Sequence, residues 1–265
     1  MGKVYNILIL IISIVLIIGC KSKESFFQKQ NTAYLVDLNQ SSRVFPHRVN
    51  TIGKLQDIWE VGFRSFETDT YFENSNYRFR VGHDSNNMGG YLNDLLSSVN
   101  YEQIARIWLD FKNLNTENHN NALQYLEVLD KKFHIKQKII IESSTTSKFF
   151  KKYRDNGWHT SYYLPTQKIY KLLKNNNVQD LENLAAQIVA QSKTQNLSAV
   201  SFDSKIYPFV KQFLEPLLDE NIVYHTWWGP DLYKYNFKSK LQDNELFLNK
   251  RVKTILVRFK SKYYL

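Results

Sequence analysis

The chain has 265 residues, a single cysteine and a formal net charge of +10. One thiol cannot form an internal disulfide, so a domain of this length must be stabilised by its hydrophobic core. The excess of basic residues favours an anionic partner such as a phosphate or a lipid headgroup. The sequence contains no ribonucleoprotein motif, zinc finger or basic helix, so nucleic acid is not an expected partner.

The first twenty residues predict a signal for export. Lys3 precedes an apolar run over residues 7–18, which is shorter than the roughly 20 residues that a membrane span needs. A run of this length suits the core of a signal peptide. It ends in Leu-Ile-Ile-Gly-Cys, which resembles the bacterial lipobox, and this resemblance implies cleavage before Cys20 and acylation of Cys20. An uncleaved N-terminal helical anchor is the alternative.

The expected organisation is therefore a signal peptide at residues 1–19, a lipidated cysteine with a flexible tether at 20–35, and one domain at 36–265. Such a protein would belong to the bacterial cell envelope and be held at a membrane by its lipid. Lys21, directly after the cysteine, favours the outer membrane if the source has two membranes.

Apolar runs rich in β-branched and aromatic residues predict eight main strands in the domain. Segments with apolar residues at helical spacing separate them, for example Leu123, Leu126 and Leu129 between the third and fourth strands. An additional strand at 77–81 is predicted as an insertion after the second main strand. The main strands are predicted at residues 43–47, 65–72, 105–111, 138–142, 159–164, 198–202, 222–227 and 252–259.

Strands that alternate with helices favour parallel βαβ units, and eight units match the size of a (β/α)8 barrel. The predicted fold class is thus α/β, as a single-domain TIM-type barrel. The alternative is an open, doubly wound sheet, but no Gly-x-Gly-x-x-Gly follows any predicted strand.

Acidic residues lie where the second and third main strands approach their carboxyl ends. Glu67 and Asp69 are two residues apart on one strand and therefore point to the same face, and Asp110 lies on the next strand. Because neighbouring strands are about 4.8 Å apart, the three carboxylates can converge. Carboxylates packed together repel one another, and Mg²⁺ or Ca²⁺ would relieve that repulsion with oxygen ligands. The alternative for each acid is a solvated strand end paired with a lysine.

Short motifs of polar residues accompany the first three main strands: His47-Arg48, Asn50-Thr51, Gly62, Glu67-x-Asp69, Gly82-His83-Asp84 and Asp110-x-Lys112. Taken together, these motifs resemble the phosphatidylinositol-phospholipase-C-like phosphodiesterase superfamily. Its most similar branches are the glycerophosphodiester phosphodiesterases, the sphingomyelinase D type phospholipases and the menorin-like proteins. Asp110 stands where the first branch more often has Glu, and the cysteine-containing loop of the second is missing, so the motifs indicate the superfamily and not the branch.

The resemblance implies a role for each matching residue. Glu67, Asp69 and Asp110 would hold one divalent metal ion. His47 would attack phosphorus or act as the general base, and His83 would protonate the leaving oxygen. Arg48 and Lys112 would hold the phosphate, and Trp227 could cover a lipid glycerol or a choline cation. Further residues predicted to line the substrate pocket are Asn50, Glu142, Tyr163 and Asp203.

The predicted function is cleavage of a glycerophosphodiester or a (lyso)phospholipid headgroup, either by water or by an internal hydroxyl that closes a cyclic phosphate. A barrel that binds a ligand or an envelope partner without turnover is the alternative. A nonspecific nuclease or a glycosidase is a weaker one, since two carboxylates suffice for a glycosidase and both histidines would go unused. The sequence shows no evidence of an obligate protein partner.

Overall fold

The computed structural model of the protein describes residues 43–144, 148–231 and 244–261. All nine predicted strands are confirmed within a residue or a few. They are β1 (Val44–Pro46), β2 (Ser65–Glu73), β3 (Arg78–Val81), β4 (Arg106–Phe111), β5 (Ile139–Ser143), β6 (His159–Tyr163), β7 (Ala199–Asp203), β8 (Val223–Asp231) and β9 (Val252–Arg258).

Helices follow most of the strands, as the apolar spacing predicts. A 3-10 turn covers Tyr101–Gln103, and another covers Ser204–Ile206. The short α7 continues into a π-helical turn at Val210–Leu214. The α-helices are α1 (Ile52–Glu60), α2 (Leu92–Ser97), α3 (His119–Phe133), α4 (Phe150–Asp155), α5 (Thr166–Lys174), α6 (Val178–Gln195), α7 (Tyr207–Phe209) and α8 (Glu245–Leu248).

The strands form one curled sheet in the order β1-β9-β8-β7-β6-β5-β4-β2-β3. Every pairing is parallel except that of β3, which runs antiparallel to β2 as an insertion. The predicted alternation of parallel strands and helices is therefore confirmed.

The predicted closure of an eight-stranded barrel is not complete in the described residues, because β1 and β2 share no ladder there. β1 is only three residues long, and the chain turns away at Arg48, whose φ is 55°. Among the described residues, one backbone–backbone hydrogen bond, from the Val49 N–H to the Glu67 carbonyl at 2.8 Å, joins the segment after β1 to β2.

The two faces of the sheet pack differently. The outer face carries Ile107 and Leu109, which belong to the main hydrophobic core that also includes residues of the helices, such as Leu126. The inner face holds a small separate cluster of Phe45, Trp108 and Leu256, with Trp227 packed against it. Side chains alternate between the faces along each strand, which places Trp108 and Asp110 on the inner side together.

The predicted signal peptide, lipidated Cys20 and tether lie outside the described residues. Among the helices that are described, none combines the length and the apolar character needed to cross a bilayer.

Candidate active site

Three carboxylates meet at the carboxyl ends of β2 and β4. Asp69 lies directly opposite Asp110 in the ladder between these strands, and Glu67 is two residues before Asp69 on the same face. Glu67 and Asp69 are fully buried, and the Asp110 side chain is 23% exposed. Each residue offers one carboxylate oxygen, and these oxygens all lie within 4.8 Å of one another. The convergence that strand spacing predicts is present.

The electrostatics of the three acids differ. Burial and the neighbouring Asp69 and Asp110 raise the pKa of Glu67 well above its usual range. Burial also raises the pKa of Asp110, against the opposing effect of Lys112. For Asp69, burial alone would raise the pKa, but the ammonium of Lys112 and the amide of Asn50 outweigh it and the pKa is lowered.

Lys112 supplies the positive charge within this acidic cluster. Its ammonium lies 2.8 Å from Asp69 Oδ1 and also pairs with Asp110 Oδ2. The two carboxylates raise the pKa of Lys112 despite its burial, so the side chain is charged at neutral pH. The lysine predicted to hold a phosphate is thus bound to two of the predicted metal ligands.

The segment after β1 fixes the orientation of the acids. The Asn50 amide donates to Asp69 Oδ2 at 2.7 Å, and its carbonyl oxygen accepts from the Asp69 N–H at 3.0 Å. The backbone N–H of Arg48 donates to Glu67 Oε2 at 2.5 Å. The left-handed backbone of Arg48, uncommon for a residue with a side chain, belongs to the turn that carries this donor. Asn50 therefore lies behind Asp69 and holds it, away from the pocket.

His47 lies beside the acidic cluster. Its Nε2 is 3.6 Å from Glu67 Oε2, and its ring packs 5.8 Å from the ring of Trp227 between centroids. Lys54, which is buried, donates from its ammonium to the His47 carbonyl at 2.9 Å. Burial lowers the pKa of His47 to about 3, so its imidazole is neutral at physiological pH and can accept a proton or attack as a nucleophile.

His83 reaches the site from the turn after β3. Its Nε2 lies 2.6 Å from Nη2 of Arg48, and its Nδ1 lies 2.8 Å from Asp84 Oδ1. In the tautomer that satisfies both contacts, Nδ1–H donates to Asp84 and Nε2 accepts from Arg48. The hydroxyl of Tyr71 donates to the His83 carbonyl at 3.1 Å and fixes the turn. Arg48, which directly follows His47 in the sequence, therefore connects the two histidines through its contact with His83.

A pocket of roughly 300 Å³, the catalytic pocket, opens at this cluster. It brings together eight of the predicted site residues with three that sequence reasoning missed, namely Trp108, Ser144 and Leu256. Trp108 could have been found, because it lies two residues before Asp110 and so shares its face. The predicted residues that line it are His47, Arg48, Glu67, Asp110, Lys112, Glu142, Tyr163 and Trp227.

Asp203 lies in a neighbouring pocket that shares Tyr163 and Trp227 with the catalytic pocket. It is mostly buried, and its Oδ1 accepts from the Lys205 N–H at 3.0 Å, while the Lys205 ammonium is 3.4 Å from Oδ2. Asp203 is thus at the edge of the site. The other predicted site residue, Cys20, lies outside the described residues.

No protein-family model matches the chain, and no curated protein sequence matches it. Solved structures do. A glycerophosphodiester phosphodiesterase from Parabacteroides distasonis is 13% identical, with a TM-score of 0.55 over 82% of this chain and 91% of that chain. A putative glycerophosphoryl diester phosphodiesterase from Silicibacter pomeroyi is 12% identical, with a TM-score of 0.55 over 81% and 89%. A putative one from Agrobacterium tumefaciens is 10% identical, with a TM-score of 0.56 over 81% and 92%.

The chain has the fold of the glycerophosphodiester phosphodiesterases. The resemblance that the sequence motifs carry is thereby confirmed at the level of the fold, which is of the TIM-barrel type. In this glycerophosphodiesterase fold Asp69 and Asp110 lie near the carboxyl end of the ladder between β2 and β4, with Glu67 two residues earlier on the same face. Barrels of this type place their active sites at the carboxyl ends of the strands.

The acidic cluster also suits a hard divalent cation. Glu67 Oε1 is buried and has no hydrogen-bond partner among the described residues. An unpartnered buried carboxylate oxygen is costly, and coordination to a cation would satisfy it. The donor set consists of oxygen atoms only, which Mg²⁺ and Ca²⁺ prefer. The residues present therefore fit a metal of this class, with Lys112 as a cationic neighbour.

Proposed function

We propose that this protein is a divalent-metal-dependent phosphodiesterase that cleaves a glycerophosphodiester or a (lyso)phospholipid headgroup. The observation that carries the proposal is the meeting of Glu67, Asp69 and Asp110 within 4.8 Å. Glu67 and Asp110 line the catalytic pocket together with His47. The fold of the solved glycerophosphodiester phosphodiesterases supports it.

Glu67, Asp69 and Asp110 would hold Mg²⁺ or Ca²⁺, which when bound offsets the negative charge on the phosphate oxygens. Cationic and titratable side chains of the protein would bind the phosphate and transfer the protons. Lys112 and the guanidinium of Arg48 both line the catalytic pocket and can bind phosphate oxygens, the latter through two parallel N–H donors.

The two histidines would divide the proton transfers. His47 is neutral, so it can take a proton from the attacking hydroxyl or attack phosphorus itself. His83 would deliver a proton to the leaving oxygen, with the Asp84 carboxylate orienting the ring through a 2.8 Å contact with Nδ1. The nucleophile is an internal hydroxyl where the substrate carries one beside the phosphate, and water otherwise.

The decisive experiment is turnover of glycerophosphocholine, lysophosphatidylcholine and sphingomyelin with Mg²⁺ or Ca²⁺, with and without chelator. We expect turnover of at least one diester and its loss on chelation. His47→Asn and His83→Asn should each lower kcat by at least 100-fold, since each removes one proton-transfer group.

His134→Asn is the matched control for these variants, because His134 ends α3 far from the site in a left-handed conformation that Asn tolerates. It should keep wild-type kcat. Wild-type turnover in His47→Asn would refute the proposed roles of the histidines.

A non-catalytic binding protein is the second candidate, and one observation favours it. The Lys112 ammonium already pairs with Asp69 and Asp110, so the acidic cluster is partly neutralised by the chain itself. A barrel of this kind would bind the diesters of the panel without converting any of them, in the presence or absence of metal. The turnover measurement therefore separates the two candidates.

We also propose that the mature protein is anchored to a membrane of the cell envelope through Cys20. The support is the apolar run at residues 7–18 followed by Gly-Cys. Bacteria that express the full chain with a labelled fatty acid should label it, and the protein should fractionate with membranes. Cys20→Ala should lose the label, and label retained in that variant would contradict the proposed site.

A further inference from the structure

A second pocket adjoins the catalytic pocket and shares three lining residues with it. It has a volume of roughly 530 Å³, and we call it the cationic pocket. Its lining includes His47, Arg48 and Trp227, which also line the catalytic pocket. A molecule whose phosphodiester lies at His47 can therefore extend into the cationic pocket.

The charges that line this pocket are all positive. Arg48 and Lys54 come from the segment after β1 and from α1, while Arg258 and Lys260 come from the end of β9. No carboxylate lines it among the described residues. Two acids outside the lining contact it: Asp57 accepts a hydrogen bond of 2.6 Å from Ser261, and Glu67 accepts one of 2.5 Å from the Arg48 N–H. Four cations gathered without a lining carboxylate produce a positive potential that attracts anions.

Two of these cations are held in place by the fold. Lys54 is only 1% exposed, and its ammonium donates to the His47 carbonyl at 2.9 Å. The guanidinium of Arg258 lies over the ring of Trp227, 5.9 Å from its centroid. Held side chains lose little entropy on binding, so the exposed Arg258 is suited to bind a ligand, whereas the buried Lys54 contributes only its charge.

The same arrangement disfavours a choline or ethanolamine headgroup here. A quaternary ammonium on the Trp227 ring would meet the guanidinium that already lies over it. Like charges at this distance repel, and each desolvated cation adds to the cost. The pocket therefore discriminates against cationic headgroups and in favour of anionic ones.

We infer that the cationic pocket binds a second anionic group of the substrate, a phosphomonoester or a carboxylate, on the side of His47 away from the acidic cluster. The substrate class would be phosphodiesters that carry a further negative charge. This inference rests on the proposed phosphodiesterase function and specifies its substrate.

A matched pair of substrates tests it. Glycerophosphoinositol and glycerophosphoinositol 4-phosphate differ by one phosphate group. We expect kcat/KM to be at least 10-fold higher for the phosphorylated diester at low ionic strength, with the preference falling as salt screens the charges. Arg258→Glu and Lys260→Glu should each lower this ratio by 10-fold or more.

Lys253→Glu is the matched control, because Lys253 makes the same charge change on β9 but is exposed and lines none of the three pockets described above. It should leave the ratio unchanged. A ratio near one in the wild-type protein, or a ratio that Lys260→Glu and Lys253→Glu lower equally, overturns the inference.

Calorimetric binding of the same two ligands to the His83→Asn variant separates this inference from the proposed function. If the wild-type protein turns over neither diester but the variant binds the phosphorylated one more tightly, and Lys260→Glu removes that preference, the pocket is supported and turnover of these diesters is refuted. Equal binding of both ligands overturns the pocket, whether or not turnover is found.

Discussion

Lys112 is the side chain that offsets the repulsion among the carboxylates of the acidic cluster. Three carboxylates lie within 4.8 Å of one another, and the Lys112 ammonium pairs with two of them. The third, Glu67, receives the Arg48 N–H, and its pKa is nevertheless raised well above its usual range by burial. A bound metal ion and Lys112 would therefore both neutralise the same carboxylates.

Lys112→Met should show whether a metal ion can replace the positive charge of Lys112. Without metal, the loss of the ammonium leaves two carboxylates uncompensated, which costs on the order of 3 kcal/mol in the free energy of unfolding. With Mg²⁺ or Ca²⁺ in excess, the increase in Tm should be larger in the variant than in the wild-type protein, because the cation would replace the missing charge.

Thermal unfolding with and without metal measures both effects. Lys171→Met, which replaces an exposed lysine of α5, is the control. It should change the free energy of unfolding by no more than about 0.5 kcal/mol and should leave the metal-induced increase in Tm unchanged. An unchanged Tm of Lys112→Met without metal would contradict the role assigned to this ion pair.

The inserted strand β3 is the element that brings the second histidine to the site. It pairs antiparallel with the end of β2, and the Gly82 N–H donates to the Asp69 carbonyl at 3.0 Å. His83 therefore begins its turn directly beside a predicted metal ligand. Gly82 is needed for this close approach, since a Cβ at that position would lie 2.8 Å from the Asn87 carbonyl oxygen.

Gly82→Ala should consequently displace His83 while the rest of the sheet stays folded. We expect kcat to fall by roughly 10- to 100-fold, because a shift of about 1 Å in a catalytic group has an effect of that size. Gly90→Ala, in the same loop region, has no atom within 4 Å of its added Cβ and should keep wild-type kcat. Equal activity of the two variants would show that the turn does not set the position of His83.

The interior of the whole sheet is unusually polar for a core. Inside the curl, the buried hydroxyls of Ser161 and Thr254 have no hydrogen-bond partner among the described residues, and neither has the buried Nδ1 of His225. Trp108 packs against the His225 ring at 5.4 Å between centroids. Burial lowers the pKa of His225 to about 3, so this ring is neutral in the folded protein.

Acid should therefore destabilise the protein through His225. Its pKa in the folded state lies below the value of about 6.5 in the unfolded chain, so the unfolded chain binds the proton first. The stabilisation from the neutral ring is present above pH 6.5 and is lost as the pH falls from 6.5 towards 3. Between pH 7 and pH 5, His225 should contribute about 2 kcal/mol to the loss in free energy of unfolding.

Urea unfolding of His225→Gln at the two pH values checks this contribution. The difference between pH 7 and pH 5 should shrink by about 2 kcal/mol relative to the wild-type protein. His134→Asn, which removes an exposed histidine, should leave that difference as it is. The same pH dependence in wild-type protein and His225→Gln would show that another group is responsible.

Much of the architecture could be predicted because it depends on neighbours in sequence. Strand periodicity located all nine strands, and the spacing of Glu67 and Asp69 placed both carboxylates on one face. Their meeting with Asp110 followed from the rule that consecutive parallel strands are usually adjacent. Helical spacing of leucines likewise located α3 and α6.

What only the tertiary structure decided concerns residues that are distant in sequence. The pairing of β1 with β9 brings Arg258 beside His47, and the turn at Arg48 leaves β1 and β2 without a ladder among the described residues. The orientation of Asn50 towards Asp69, and of Lys112 towards two acids, also depends on how side chains meet across strands. Local periodicity determines which face a side chain occupies, whereas register, curl and competition among charges determine what it meets there.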